Sequence, residues 1–423
     1  MFKKVTLKNG LRIIIVPQKC TQAVTSLVLV GTGSKYENKE ISGISHLLEH
    51  LLFKGTKKRP NQISISEPLD RVGGIYNAFT GEDYTGYYAK VDAKHLDLAL
   101  DVISDIYLNS KLDANEIKKE KRVVIEEINM YQDHPSSYVQ ILWTKLLYGD
   151  QPAGWHIAGT KESVLGISRK NILDYMNTQY TADNTIVCIA GNVSVDLAVK
   201  KVKKYFSKAR ENKNIEKAPV IEKQSSPNVL IENRNTDQTH FCLGVRTYNM
   251  FHPDKYVLEL LSLILGGMMS SRLFIEVREK LGLAYYIKTD NSSDPDAGFL
   301  VVQAGVDNTR VGLAVKAVLK EFDKLKKKKI SLKEINKAKD HFKGKMALLF
   351  EASDAQASFY GAQDLLEKKI LTPSQIYGKI NKVSINDIQR VAKDIFRSEN
   401  LNLALIGPSK DNFNKLLWTT KNS

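Results

Sequence analysis

Cysteine is scarce: Cys20, Cys188 and Cys242 are the three in 423 residues. They are odd in number and far apart, so no disulfide framework is implied, and none forms a CxxC pair that would offer a thiolate metal site. No apolar run approaches the length needed to cross a bilayer. Residues 1–16 lack both the continuous apolar core of a secretion signal and the Arg/Ser-rich pattern of a transit peptide. The expectation is a cytoplasmic chain that begins at its first residue. Those residues read instead as strand, Asn9-Gly10 turn and strand, a hairpin. Motifs that read DNA or RNA are also missing, although the formal charge is +15. The lysines are spread through helical segments, and the densest run, Lys324 to Lys329, reads as a solvated helix end where cations suit the dipole. Neither a nucleic-acid nor a membrane partner is expected.

Hydrophobic residues at 43% and charged residues at 26% are the proportions of a soluble globular protein. The length exceeds one ordinary core and suggests two domains or a duplicated unit. Residues 1–210 read as strands, then helices, then a late strand near Thr185 to Ala190. Residues 211–227, with Pro219, Ser225, Ser226 and Pro227 among many charges, have a linker's composition. Residues 228–423 repeat the order of the first part. The expected fold class is therefore α+β: two similar domains, each a mostly antiparallel sheet packed with helices.

The chemistry concentrates in Gly43-Ile44-Ser45-His46-Leu47-Leu48-Glu49-His50-Leu51-Leu52-Phe53. In a helix, His46 and His50 lie one above the other on one face and can share a metal ion about 2 Å from each. Glu49 stands beside the pair, placed to reach a metal-bound water without being a ligand. This is the HxxEH order of the inverzincins. Leucines cover the other faces, and burying two histidines and a carboxylate without partners would be costly, which favours a shared ion.

Two histidines leave a tetrahedral zinc one protein ligand short if a position is kept for water. His95, among helix-forming residues, and His134, in an Asp133-His134-Pro135 turn, lie in less favourable contexts. The charged helix containing Glu120-Lys121-Arg122-Val123-Val124-Ile125-Glu126-Glu127-Ile128 is the better source. Glu120 and Glu127 are two helical turns apart on one face. Glu127 can ligate while Glu120 braces the site, but by pattern alone Glu126 is nearly as eligible.

These motifs resemble the pitrilysin/insulysin family of zinc peptidases, in particular the half-length branch that includes the mitochondrial processing peptidase. The likeness spans the whole chain and rests on His46-Leu47-Leu48-Glu49-His50, Glu120 with Glu127, Asn77-Ala78-Phe79-Thr80, and Arg278 with Tyr285. It implies that His46, His50 and Glu127 bind one zinc, that Glu49 is the general base and that Glu120 supports the ligands. It implies further that Asn77 and Ala78 lie on an edge strand that receives an extended peptide by β-augmentation. On its own Asn77 reads as an ordinary turn residue. Arg278 and Tyr285 would hydrogen-bond the peptide carbonyl or its developing oxyanion. In full-length members the zinc motif and the Arg/Tyr pair occupy opposite halves, so a half-length chain carrying both implies a homodimer with a shared site. The non-catalytic partner of the processing peptidase has lost the zinc motif and carries a glycine-rich loop. Here the motif is intact and Leu265 to Ser271 is only modestly glycine-rich.

The expected function is a zinc metalloendopeptidase acting on peptides or unfolded segments. The rival readings are a non-catalytic core subunit built on the same fold and a basic nucleic-acid-binding protein.

Overall fold

The structure, a computed structural model, describes residues 2–211, 215–408 and 413–418; residues 212–214 of the expected linker lie outside that set. Two sheets organise the chain. The first runs in the order β1-β2-β6-β3-β5-β4, from β1 (Lys3–Thr6), β2 (Arg12–Pro17), β3 (Ala23–Val30), β4 (Ile75–Thr80), β5 (Thr85–Asp92) and β6 (Thr185–Gly191). The second runs β7-β11-β8-β10-β9, from β7 (Asn228–Glu232), β8 (Gln238–Arg246), β9 (Ala284–Ser293), β10 (Gly298–Asp307) and β11 (Leu401–Ile406). Each sheet has one parallel pair, β2 with β6 and β7 with β11, and is otherwise antiparallel. The fold is α+β with two such units, and the Asn9-Gly10 hairpin forms as β1–β2, with Gly10 at φ +88°.

The late strands of both units, β6 and β11, are buried along their whole length. Side chains alternate across a strand, so full burial requires cover on both faces. In the first unit Val187 and Ile189 of β6 join a core with Val102, Ile103 and Ile106 of the helix Leu96–Asn109. Ile186, Cys188 and Ala190 face the other way, against Ala357, Tyr360 and Leu365. Those last residues belong to the helix Ser353–Ala362 and its continuation, late in the chain. The fit is close: a Cβ built on Gly361 would lie 2.6 Å from Leu29 Cδ1 and 2.7 Å from Cys188 Sγ. The second unit has the reciprocal arrangement. Val139, Leu142, Trp143 and Leu147, from the helix Pro135–Tyr148, cover Cys242 of β8 and Ala404 and Ile406 of β11.

The compact units are therefore discontinuous. One comprises Met1–Asn129, Trp155–Ala218 and Ala347–Ile370, the other Met130–Gly154, Pro219–Met346 and Leu371–Ser423. A single division into 1–210, a 211–227 linker and 228–423 does not separate the cores this way, because each sheet recruits a covering helix from the other part of the sequence. Shared apolar faces set that exchange, and local composition does not signal it.

The returning segment 347–370 is also tied electrostatically to the first unit. Asp364, whose side chain is 1% exposed, pairs with Lys4 of β1 and, at 3.3 Å, with Arg12 of β2. Removing one partner of a buried pair strands the other charge. Asp364→Ala is expected to destabilise the first unit by about 3 kcal/mol, seen as a lower urea midpoint with the fold retained in buffer. An unchanged midpoint would show that this contact does not hold the segment.

Candidate metal centre

The helix Ile44–Leu52 carries the HxxEH motif. Ile44, Leu47, Leu48, Leu51 and Leu52 are at most 1% exposed, each contributing on the order of 2 kcal/mol by burial. That dry contact fixes the helix and leaves His46, Glu49 and His50 on the remaining face. Its start is fixed by Gly43 at φ +93°, where an added Cβ would also lie 2.6 Å from Ala158 O. Glu37 then caps it: Oε2 accepts the Gly43 N–H at 2.7 Å and Oε1 the Ser45 N–H at 2.9 Å. Burial pushes the Glu37 carboxyl up to about 8, against the pull of those donors. Ser45 Oγ and Thr32 Oγ1 each lie 2.7 Å from the buried Tyr175 hydroxyl, closing a polar network under the first turn.

The helix Ala114–Asp133 brings its carboxylates to this face. Glu127 Oε2 lies 3.5 Å from His46 Nε2 and 3.6 Å from His50 Nε2. A tetrahedron with metal–ligand bonds of about 2.1 Å has edges of about 3.4 Å, so the Glu127 oxygen stands from each histidine at close to the separation of two ligands on one ion. One ligand atom from each of the three residues falls within 4.8 Å of the others. Two imidazoles, neutral once they ligate, and a carboxylate are a donor set suited to catalytic zinc. Glu126 is exposed and hydrogen-bonds Asn129, one helical step off the face that carries Glu120, Val124 and Ile128. His95 and His134 are not part of the cluster.

Glu120 braces the cluster: its Oε2 lies 3.3 Å from His50 Nδ1 and its Oε1 is 2.9 Å from Lys54 Nζ. Its pKa is lowered: burial pushes up, but His50 and Lys54 outweigh it. Glu127 is lowered chiefly by its hydrogen bond to His50. Burial alone would depress His50, yet its bonds to Glu120 and Glu127 raise it to about 9. His46, more deeply placed, is depressed by burial to about 4. Glu49 is raised by burial, partly offset by a hydrogen bond from Thr80 Oγ1 to Oε2 at 2.5 Å.

Asn77 and Ala78 lie on β4, the edge strand of the first sheet and the strand beside the metal helix. Asn77 is exposed, and its Oδ1 accepts the Ala78 N–H at 2.9 Å. Arg278 and Tyr285 belong to the second unit. Arg278 sits in a π-helical segment, Phe274–Lys280, its guanidinium 4.8 Å from the Phe274 ring centre. Gly282, at φ +54°, ends that segment. Tyr285 is 75% exposed at a bulge of the edge strand β9, where Ala284 pairs with Val306 and Tyr286 with Gly305. A bulge redirects a side chain out of the ladder.

The fold adds four residues to which the sequence assigned no role at the site, Thr80 among them although it belongs to the Asn77-Ala78-Phe79-Thr80 motif. Lys54 follows His50 by one helical turn, a signal that spacing carried. Thr80 falls on the same strand face as Ala78 by period-two alternation. Glu37 and His156 come from loops and left no pattern; His156 lies near enough to influence Glu127 and His46 electrostatically.

Comparison with known proteins places the chain in a family. Residues 12–161 match the family described as Insulinase (Peptidase family M16), and residues 166–342 match the Peptidase M16 inactive domain. The chain is 38% identical over 410 residues to the uncharacterized zinc protease YmxG of Bacillus subtilis, covering 97% of this chain and 99% of that one. It is 32% identical to an uncharacterized zinc protease of Streptomyces coelicolor, covering 97% and 90%. The crystal structure of a protease from Helicobacter pylori superposes with a TM-score of 0.91 at 26% identity, over 96% of this chain and 99% of that one. The chain belongs to peptidase family M16, the insulinase family.

The titration state makes a metal-binding prediction. With His50 near 9 and His46 near 4, the metal-free site at pH 7 holds one imidazolium. A ligating imidazole must be neutral, so Zn2+ binding is expected to release about one proton per ion at pH 7. Affinity should rise with pH and level off above about 9. Calorimetry in buffers of different ionisation enthalpy measures the count; no release at pH 7 would contradict the assigned charge on His50.

Proposed function

We propose that the chain is a zinc metalloendopeptidase whose ion is held by His46, His50 and Glu127. The observation that supports this most strongly is the Glu127 carboxylate oxygen 3.5 Å from His46 Nε2 and 3.6 Å from His50 Nε2, close to the edge length of a zinc tetrahedron. Zinc, when bound, supplies the Lewis acidity that makes a water nucleophilic and polarises a carbonyl. Glu49 accepts a proton as the water oxygen bonds to the scissile carbonyl carbon. The same carboxyl returns that proton to the leaving nitrogen as the C–N bond breaks. One water and one amide thus yield one carboxylic acid and one amine. The raised pKa of Glu49 suits a group that must both take and give a proton near neutral pH.

The substrate we propose is an extended peptide or unfolded segment laid along β4 at Asn77 and Ala78. An unpaired strand edge offers main-chain hydrogen bonds with little demand on sequence. Glu120 keeps His50 oriented and basic toward the ion. Arg278 and Tyr285 stabilise the developing oxyanion and are contributed by a second copy of the chain, so the working form is a homodimer with shared sites. No described helix is long and apolar enough to cross a membrane, and the proposed setting is the cytoplasm. The rival, a non-catalytic core subunit on the same fold, has no need for a converged donor set with a base beside it.

Glu49→Gln is expected to retain zinc by elemental analysis while lowering peptide hydrolysis at least about 100-fold. Undiminished cleavage would sink the proposed role of Glu49. Mixing Glu49→Gln with Arg278→Ala, each inactive alone, should restore about a quarter of wild-type activity through random heterodimers. Mixtures as inactive as their parents would contradict the shared site.

A further inference from the structure

Glu49 is held from outside its own helix by Thr80, whose hydroxyl donates to Oε2 at 2.5 Å. Thr80 is the last residue of β4. Its backbone is fixed from several sides. It pairs with Thr85 across the hairpin, and Thr85 Oγ1 in turn donates to Thr32 O at 2.8 Å. The turn beyond it is closed by Gly81 N–H to Tyr84 O at 2.9 Å. Ser34 N–H and Lys35 N–H then clamp that turn through Gly81 O and Glu82 O, at 3.2 and 3.0 Å. Only glycine allows the clamp at position 33, since a Cβ there would lie 2.2 Å from Gly81 O. At the other end of the bond, Glu49 rides on a helix seated by five buried aliphatic side chains. Both ends of the Thr80–Glu49 hydrogen bond are therefore on rigid elements, the arrangement that holds a reacting group to within a few tenths of an ångström.

We propose that Thr80 is a positioning residue for the base. Its hydroxyl engages Oε2 and fixes the carboxylate rotamer, which leaves Oε1 as the oxygen that takes and returns the proton. Because Thr80 also ends the strand proposed to receive the peptide, it sets the base in register with the bound main chain. Thr80 itself transfers no proton and touches no metal. The inference rests on the reading of Glu49 as base and β4 as the peptide-binding edge.

The test compares Thr80→Val, which keeps the shape and removes the donor, with Thr80→Ser, which keeps the donor. Thr80→Val is expected to lower kcat about 10- to 100-fold, with KM changed less than about two-fold and zinc content and thermal midpoint held. Thr80→Ser should return kcat to within about three-fold of wild type. In the Glu49→Gln background, Thr80→Val should cause no additional loss, because the group it positions is gone. A crystal structure of Thr80→Val should show the Glu49 carboxylate displaced or in more than one rotamer. Wild-type kcat in Thr80→Val overturns the proposal, as does a Thr80→Ser variant as slow as Thr80→Val; the serine variant also decides the matter if valine unfolds the protein. Full activity in Glu49→Gln would instead overturn the base assignment itself. An inactive Glu49→Gln beside a fully active Thr80→Val would overturn only the positioning role.

Discussion

A short helix that is dry on most sides and ionisable on one is the constraint on which the site depends. Ile44, Leu47, Leu48, Leu51 and Leu52 are buried against the first sheet's core, which forces His46, Glu49 and His50 into a half-buried position where unpaired polar groups are expensive. The surrounding structure supplies their partners. Glu127 faces both histidines, Glu120 and Lys54 secure His50 from behind, and Thr80 holds Glu49. Even the start of the helix is set by a buried carboxylate, Glu37, on its first free N–H groups. A net charge balance follows from this packing. Two lowered carboxylates and one raised imidazole surround the place where a divalent ion would sit.

Much of this was legible in the sequence because helices and strands have fixed periods. The HxxEH spacing puts both imidazoles on one face, and the two-turn spacing of Glu120 and Glu127 aligns their carboxylates. Spacing alone left both Glu126 and Glu127 eligible; in the structure the burial of Val124 and Ile128 turns Glu127 toward the histidines and Glu126 out to solvent. Asn77 reads as a turn residue by composition, yet it is mid-strand on β4, where pairing with β5 overrides local preference. Glu37 was illegible because a loop residue that caps a helix from outside obeys no period.

The architecture shows the same limit on a larger scale. The order of elements in the two parts of the chain is readable, but the exchange of covering helices is not. Helix Pro135–Tyr148 and helix Ser353–Ala362 are amphipathic segments whose sequences say that one face is buried and do not say against which sheet. The fully apolar strands β6 and β11 do carry a hint, since burial on both faces demands a second layer. The exchange matters for the site because segment 347–370 covers the far face of the sheet whose near face seats the metal helix. That sheet is thus a firm floor, and Glu49, held between a helix and a strand of it, keeps its geometry.

The central claim, that one zinc is held by His46, His50 and Glu127, is tested most directly by anomalous diffraction at the zinc edge from crystals of the protein. The account predicts a single peak per chain, about 2 Å from Nε2 of His46, Nε2 of His50 and a Glu127 carboxylate oxygen. A zinc peak elsewhere in the chain, or none at these donors after growth with stoichiometric zinc, would contradict it.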